Sequence, residues 1–326
     1  MHPTLLVCLC GLILSALLLA VRLNKSRLAV KGACVALLLS AALGFVLGKC
    51  VYVLCLLGRL LPRYGIAAFI RMAPTEFSFV GMLLGAYLGV VLTAKIFRAP
   101  AAKLLDAYAP SFALLSACVK GSEYFLGMHG VGAYLENEQL YFFPLAVKNE
   151  WDEYFLAVFM LFALAALVIF VLALLFGGKM KKAPGLLFDM TVYHLCVVLI
   201  LCENLRAQTI TWGFVKAEQL FGALICLFVL LRSCVKYGAK AHPHQDGPTS
   251  SLVRVKGKLR PDTVSPVRRF WPVAALFVCA GLIIMVIFAL DGKIPAISNA
   301  CAYWILGCTL AGMCALDLYA SLRRLK

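Results

Sequence analysis

The sequence predicts an all-α membrane protein that crosses the bilayer several times. Of its 326 residues, 63% are hydrophobic and only 14% are charged. Apolar runs recur along the chain and approach the length of about 20 residues that a helix needs to cross a bilayer. Nine runs are candidate spans, at residues 5–21, 33–54, 77–97, 104–125, 154–176, 185–205, 217–231, 270–290 and 301–316.

One long polar segment divides these spans into a body and an appendage. Residues 232–269 are rich in Pro, Ser, Gly, Lys and Arg, which is the composition of a linker. We therefore predict a seven-helix body at 1–231, a basic cytoplasmic linker at 232–269 and a two-helix appendage at 270–326. His242 and His244 lie in the linker without further metal ligands, so we predict no metal and no cofactor.

The basic residues predict the orientation of the chain. If the N-terminus is outside, 22 of the 31 lysines and arginines lie on the cytoplasmic side, as the positive-inside rule requires. The acidic segments YLENEQL and NEWDEY then lie outside. The first apolar run follows MHPT, which has no basic residue, so it is expected to be an anchoring helix rather than a cleaved signal peptide. The net charge of +16 follows from these loops and does not indicate nucleic-acid binding.

Charged residues interrupt the apolar runs near one face of the membrane. Lys49 comes late in the second span, Lys120 and Glu123 come late in the fourth, and Glu203 and Arg206 lie at the end of the sixth. Even-numbered spans run in the same direction, so all five side chains are expected at one depth near the outer face. A charge inside the bilayer costs about 2.5–3.5 kcal/mol on insertion scales, so such residues are usually paired or line a cavity.

Two interpretations of these charges remain open. The pairs Lys120–Glu123 and Glu203–Arg206 have i, i+3 spacing, so they can be internal ion pairs that join helices. Alternatively, Lys49, Lys120 and Arg206 supply cations for the phosphate of an outer-leaflet phospholipid. We favour the lipid pocket, because three helices bring ionisable residues to one depth.

Six short motifs follow one another along the body. They are LGKCVYVL at 47–54, FSFVGMLLG at 77–85, DAYAPSFALLSACVKGSEYFLG at 106–127, FFPLAV at 142–147, ENLR at 203–206 and AEQLFG at 217–222. Their order, together with the predicted topology, resembles the bacterial prolipoprotein diacylglyceryl transferase family. The resemblance extends over about residues 44–231.

The resemblance implies a fold, a reaction and a set of site residues. It implies a seven-helix protein of the bacterial inner membrane that moves diacylglycerol from phosphatidylglycerol onto the lipobox cysteine of a lipoprotein precursor. Glu203 and Arg206 match family positions directly. The implied catalytic residues are Glu123, Lys120 and Glu203, and the implied substrate-binding residues are Lys49, Tyr52, Lys120, Arg206, Tyr154 and Gln219.

The chain departs from the family pattern where the chemistry is expected. Val80 replaces the family histidine, Lys120 and Glu123 replace an arginine and an asparagine, and Leu199 replaces a further arginine. The transfer needs an attacking thiolate and cations that stabilise the departing phosphate, and valine supplies neither. Glu123 is the first candidate for a substitute base, and His129 is the second.

Three functions follow from these observations. The first is a transferase-like enzyme that acts on a phospholipid, with a lipoprotein precursor as acceptor. The alternative is a catalytically silent relative that binds phospholipid or lipoprotein precursors and docks a partner protein through the two C-terminal helices. A small-molecule transporter has less support, because no inverted hydropathy repeat is evident.

Overall fold

The computed structural model describes residues 3–23, 29–177, 184–212, 215–238, 277–284, 301 and 304–313. These residues are mostly helical, and six of the helices are long and apolar enough to cross a membrane. The chain is therefore a helical, multi-pass membrane protein. Its first compact unit contains Met1–Cys226, which includes the candidate site, and its second unit is Leu227–Leu318.

Eight α-helices follow one another in the described part of residues 3–238. They are α1 (Pro3–Leu23), α2 (Ala29–Cys55), α3 (Leu57–Tyr64), α4 (Phe79–Ile96), α5 (Ala101–Gly121), α6 (Val158–Phe176), α7 (Leu186–Leu205) and α8 (Ala217–Gly238). Short 3₁₀ helices occupy Gly65–Phe69, Ser122–Leu126 and Glu138–Leu140. Large aliphatic and aromatic side chains from α4, α5, α6 and α7 form the main apolar core.

Two antiparallel hairpins lie outside the helices. Strand β1 (Ala146–Lys148) pairs with β2 (Tyr154–Leu156), and β3 (Thr211–Trp212) pairs with β4 (Val215–Lys216). We call residues 127–157, between the 3₁₀ helix Ser122–Leu126 and α6, the arm, and the end of the helices beside it the arm end. The arm is tied to the end of α7, where the backbone N–H of Ala207 donates to the carbonyl of Val131 over 3.0 Å.

The start of the fifth predicted span differs from the structure. The apolar pattern predicts a helix from residue 154, but Tyr154–Leu156 form β2 and α6 begins at Val158. The backbone of Leu156 accepts from the N–H of Gly132 over 2.8 Å and donates to the carbonyl of Ala133 over 3.0 Å. These bonds to a distant segment replace the hydrogen bonds that a helix would make, and hydrophobicity alone does not reveal them.

Helices α2 and α4 pack with their backbones in contact. A Cβ atom at Gly89 would lie 2.5 Å from the backbone nitrogen of Ser40, and one at Gly81 would lie 2.6 Å from the carbonyl oxygen of Leu47. The hydroxyl of Ser40 also donates to the carbonyl of Ala86 over 3.0 Å. Small residues at a helix interface allow this close approach within a membrane. The contact holds the beginning of α4 beside the end of α2, at the arm end.

The predicted linker and appendage overlap the described residues only in part. Helix α8 continues to Gly238, so the linker predicted from residue 232 begins inside this helix, and residues 239–269 lie outside the described residues. Residues 277–284 and 304–313 are helical and lie within the spans predicted at 270–290 and 301–316, but neither helix is among the six that are long enough to cross a membrane. The remaining residues of those two spans lie outside the described residues.

Candidate functional site

Four ionisable side chains form a continuous series of ion pairs at the arm end, which we call the charge cluster. Lys120 Nζ lies 2.8 Å from Glu123 Oε1. Arg206 Nη2 lies 3.1 Å from Glu123 Oε2, and Arg206 Nη1 lies 2.9 Å from Glu203 Oε1. Arg206 therefore joins the extension of α5 to the end of α7.

Lys120 is the most enclosed cation of the charge cluster. It lies in the last turn of α5, where the helix dipole favours a positive charge, and only 4% of the residue is exposed. Its ammonium nitrogen lies 4.8 Å from the ring centroid of Phe79 and 5.7 Å from that of Phe162. Two aromatic faces and one carboxylate thus compensate for the water that this ammonium loses.

The arm contributes a histidine and a glycine to the cluster. His129 Nε2 lies 3.3 Å from Arg206 Nη2, so it accepts a hydrogen bond when the imidazole proton is on Nδ1. Gly130 has a φ of +83°, and a Cβ atom there would collide with Glu123 Oε2. Glycine is suited to this position for both reasons, and it allows the arm backbone to approach the ion pair.

The cluster changes the proton affinity of the two groups that lie after α5 and α7. Burial lowers the pKa of His129, and Arg206 and Lys120 act in the same direction, so the pKa lies below its usual range although Glu123 opposes the shift. Burial also acts against the charge of Arg206, but Glu123 and Glu203 outweigh it and raise the pKa of the guanidinium. His129 is therefore neutral at pH 7, and Arg206 is charged.

Glu218, at the start of α8, binds the beginning of α4. Its Oε1 accepts from the backbone N–H of Phe79 over 2.9 Å, and its Oε2 accepts from that of Val80 over 3.0 Å. Ser78 caps the same helix, because its hydroxyl accepts from the N–H of Gly81 over 3.1 Å. Unpaired N–H groups and the helix dipole make this end of α4 favourable for a carboxylate.

Glu203 has one carboxylate oxygen that no described residue binds. The residue is 2% exposed, its Oε1 binds Arg206, and its Oε2 has no hydrogen-bond partner in the described part of the chain. The ammonium of Lys216 lies nearby, but it donates to the backbone carbonyl of Glu203 over 3.1 Å. A buried carboxylate oxygen without a donor is costly, so a donor that reached this oxygen would stabilise it.

A cavity of about 450 Å³ is lined in part by the charge cluster. Its apolar lining includes Phe45, Phe77, Phe79 and Met82, and its polar lining includes the cluster, Tyr52, Arg59, Thr75, His129, Gln208 and Glu218. Phe45 is exposed on the side of α2, so the apolar part of the cavity reaches the surface that faces lipid. The lining is therefore amphiphilic, because it combines charged side chains with aromatic rings.

The structure brings together some of the predicted site residues and separates others. Lys120, Glu123, Glu203 and Arg206 form the charge cluster, and Tyr52 lines the same cavity.

The other three predicted binding residues have different surroundings. Lys49 pairs with Glu76 over 2.7 Å. The ring of Tyr154 stacks on that of Tyr141 at a centroid distance of 4.1 Å, and Gln219 Nε2 donates to the carbonyl of Ile200 over 3.1 Å. None of the three is part of the cavity lining.

Sequence reasoning missed the roles of Glu218 and Glu76. An acidic residue in the first turn of an apolar helix was the available signal for Glu218. Nothing in the sequence around Glu76 indicates that it pairs with Lys49, because the two residues are joined only by the contact of α2 with the segment before α4.

No model of a known protein family matches this chain, and no curated protein matches it. The resemblance to the diacylglyceryl transferase family therefore stays a hypothesis that depends on the six motifs.

Proposed function

We propose that the cavity binds a membrane phospholipid and that the protein is a diacylglyceryl transferase-like protein of the bacterial plasma membrane. The observation that carries this proposal is the combination of a buried charge cluster and an apolar lining in one cavity of about 450 Å³. A phospholipid has the same division, with a charged headgroup attached to hydrocarbon chains. The position of Phe45 gives the chains a route to the surrounding lipid.

The distribution of basic residues supports an orientation with the N-terminus outside and the C-terminus in the cytoplasm. In that orientation the arm end and the cavity lie at the outer leaflet. This is where a lipoprotein precursor would present its cysteine. A protein partner bound through the C-terminal helices stays a prediction.

Diacylglyceryl transfer is the reaction that the resemblance implies for such a cavity. The sulfur of a cysteine thiolate forms a bond to the glycerol carbon of the lipid, the bond from that carbon to the phosphate oxygen breaks, and glycerol phosphate leaves. The positive charge for the departing phosphate would come from the basic residues of the lining, which are Arg59 at its exposed part and Lys120 and Arg206 in the charge cluster. His129 is a neutral imidazole in the cavity lining, and its Nε2 can accept the thiol proton when the hydrogen bond from Arg206 is released.

Lipid binding without transfer is a second candidate function, and the ion pairs favour it. Each oxygen of Glu123 already binds a cation, so this residue has no free oxygen for a substrate proton. Val80 occupies the position of the family histidine and is buried, with its N–H bound to Glu218. Neither feature interferes with the binding of a lipid.

The first experiment measures transfer and binding in the same preparation. The purified protein is incubated with a lipobox peptide in phosphatidylglycerol vesicles, and mass spectrometry measures the peptide and the lipid that co-purifies with the protein. The test variant is Lys120→Ala. Lys148→Ala is the matched control, because this lysine of the arm is half exposed and pairs with Asp152 outside the cavity lining.

The outcomes separate the two candidate functions. A diacylglyceryl mass shift that is lost in Lys120→Ala and kept in Lys148→Ala would support the enzyme. A mass shift that survives in Lys120→Ala would contradict the role of this cavity in transfer. Stoichiometric lipid without a mass shift would support binding alone, and absence of both lipid and mass shift would refute the proposal.

A further inference from the structure

We propose that the cavity selects a lipid headgroup that ends in an ammonium, as in phosphatidylethanolamine, and that Glu203 binds this ammonium. This inference rests on the proposed phospholipid function and names the class of lipid. It differs from the phosphatidylglycerol that the sequence resemblance implies.

The first supporting observation is the open oxygen of Glu203. Glu203 lines the cavity, and its Oε2 is buried. This oxygen accepts no hydrogen bond from any described residue. A phosphate oxygen cannot satisfy it, because both groups only accept hydrogen bonds. A ligand group at this position must therefore donate a hydrogen bond.

The second observation is the charge of the buried lining. Three carboxylates, those of Glu123, Glu203 and Glu218, face the cavity with two buried cations, Lys120 and Arg206. Both cations already bind carboxylates. A phosphate that entered the cluster would meet these carboxylates, whereas an ammonium would be attracted by them.

The third observation is the difference between the inner and the exposed lining. Arg59, Thr75 and Gln208 line the cavity where it is exposed to solvent, and each of them can donate a hydrogen bond. The three carboxylates of the lining are buried or nearly so. This arrangement fits a zwitterionic headgroup whose ammonium lies at the charge cluster and whose phosphate lies at the exposed part of the lining.

A lipid-competition experiment tests the inference on the unmodified protein. The full chain is mixed with equal amounts of phosphatidylethanolamine, its N-methyl and N,N-dimethyl derivatives, phosphatidylcholine and phosphatidylglycerol, all with the same acyl chains. Native mass spectrometry then measures which lipids remain bound. We expect phosphatidylethanolamine to exceed phosphatidylcholine and phosphatidylglycerol by about tenfold, as one charge-assisted hydrogen bond allows, and to decline with each methyl group.

Two variants connect this preference to Glu203. Glu203→Gln removes the negative charge and should reduce the preference to about twofold or less, because one neutral hydrogen bond is weaker than a charge-assisted one. Glu76→Gln is the matched control. This variant also removes one carboxylate at the arm end, which is paired with Lys49. Glu76 is not part of the cavity lining, so the lipid preference should not change.

Three results would overturn the inference. Stronger retention of phosphatidylglycerol than of phosphatidylethanolamine would show that the cavity selects an anion. Equal retention of phosphatidylethanolamine and its methylated derivatives would show that no N–H donor of the headgroup is bound. An unchanged preference in a folded Glu203→Gln variant would show that a water molecule or another group satisfies Glu203. Lipid retained without headgroup preference contradicts only this inference, whereas no retained lipid contradicts the phospholipid function as well.

Discussion

Replacement of Arg206 by methionine removes the guanidinium that pairs with the carboxylate of Glu203. The variant loses two ion pairs, of 3.1 Å to Glu123 and 2.9 Å to Glu203, although Glu123 keeps Lys120 at 2.8 Å. The side chain of Arg206 is 11% exposed and that of Glu203 is 2% exposed, so solvent screens this pair little. Removal of one partner of a buried pair costs about 3–5 kcal/mol, so we expect the free energy of unfolding of Arg206→Met to fall by an amount within that range.

The measurement is the free energy of unfolding in mixed micelles, obtained by titration with a denaturing detergent. Glu203→Gln is combined with Arg206→Met in a double-mutant cycle. The double variant should recover about 1–3 kcal/mol relative to Arg206→Met alone, because the unpaired carboxylate is then absent. Lys148→Met is the control, since its exposed pair with Asp152 should contribute no measurable stability.

Two results would refute this reasoning. An exposed ion pair contributes less than about 1 kcal/mol. If Arg206→Met lowers the free energy of unfolding by no more than that, water reaches Glu203. A double variant that is no more stable than Arg206→Met would mean that Arg206 does not act through Glu203.

Three further predictions concern packing, protonation and helix capping. Gly89→Leu should destabilise the protein by about 1–3 kcal/mol, because the new side chain collides with the α2 backbone. Gly58→Ala should have little effect, because a Cβ atom at Gly58 would meet no other described residue within 4 Å. Thermal unfolding in detergent measures both variants. Hydrogen–deuterium exchange at the imidazole C2 should give His129 a pKa below the unfolded value of about 6.5, and Glu123→Gln should lower this pKa further. Because the folded pKa is depressed, protonation of this histidine reduces the stability of the protein as the pH falls below about 6.5. An unshifted pKa would contradict the burial of His129. Glu218→Gln should cost about 1–3 kcal/mol in unfolding free energy, because the amide nitrogen cannot accept from the second N–H at the start of α4, and an unchanged stability would show that water replaces this bond.

The helical membrane class was predictable because it depends on the length and composition of apolar runs. The charge cluster was also partly predictable, since alternating helix direction and i, i+3 spacing bring Lys120, Glu123, Glu203 and Arg206 to one end. Their bonds to one another in the structure agree with the first of the two interpretations. The second interpretation, a phospholipid site, stays a prediction: Lys120 and Arg206 line a cavity, and Lys49 is not part of its lining.

The features that sequence reasoning missed depend on contacts between distant segments. The strand at Tyr154–Leu156 forms because the arm supplies it with backbone partners. Glu218 binds Phe79 across 139 positions of sequence. Helical periodicity and composition describe local preference, so neither could locate these bonds.

The approach of Gly130 to Glu123 has a mechanical consequence for the arm. Its main chain lies against the ion pair between Glu123 and Arg206, and the arm is also hydrogen-bonded to the residues that follow α7. Outward displacement of this loop would hydrate two buried carboxylates and expose their counter-ion. The position of the arm and the dielectric environment of the charge cluster are thus coupled, so a displacement of the arm would change the electrostatic potential inside the cavity.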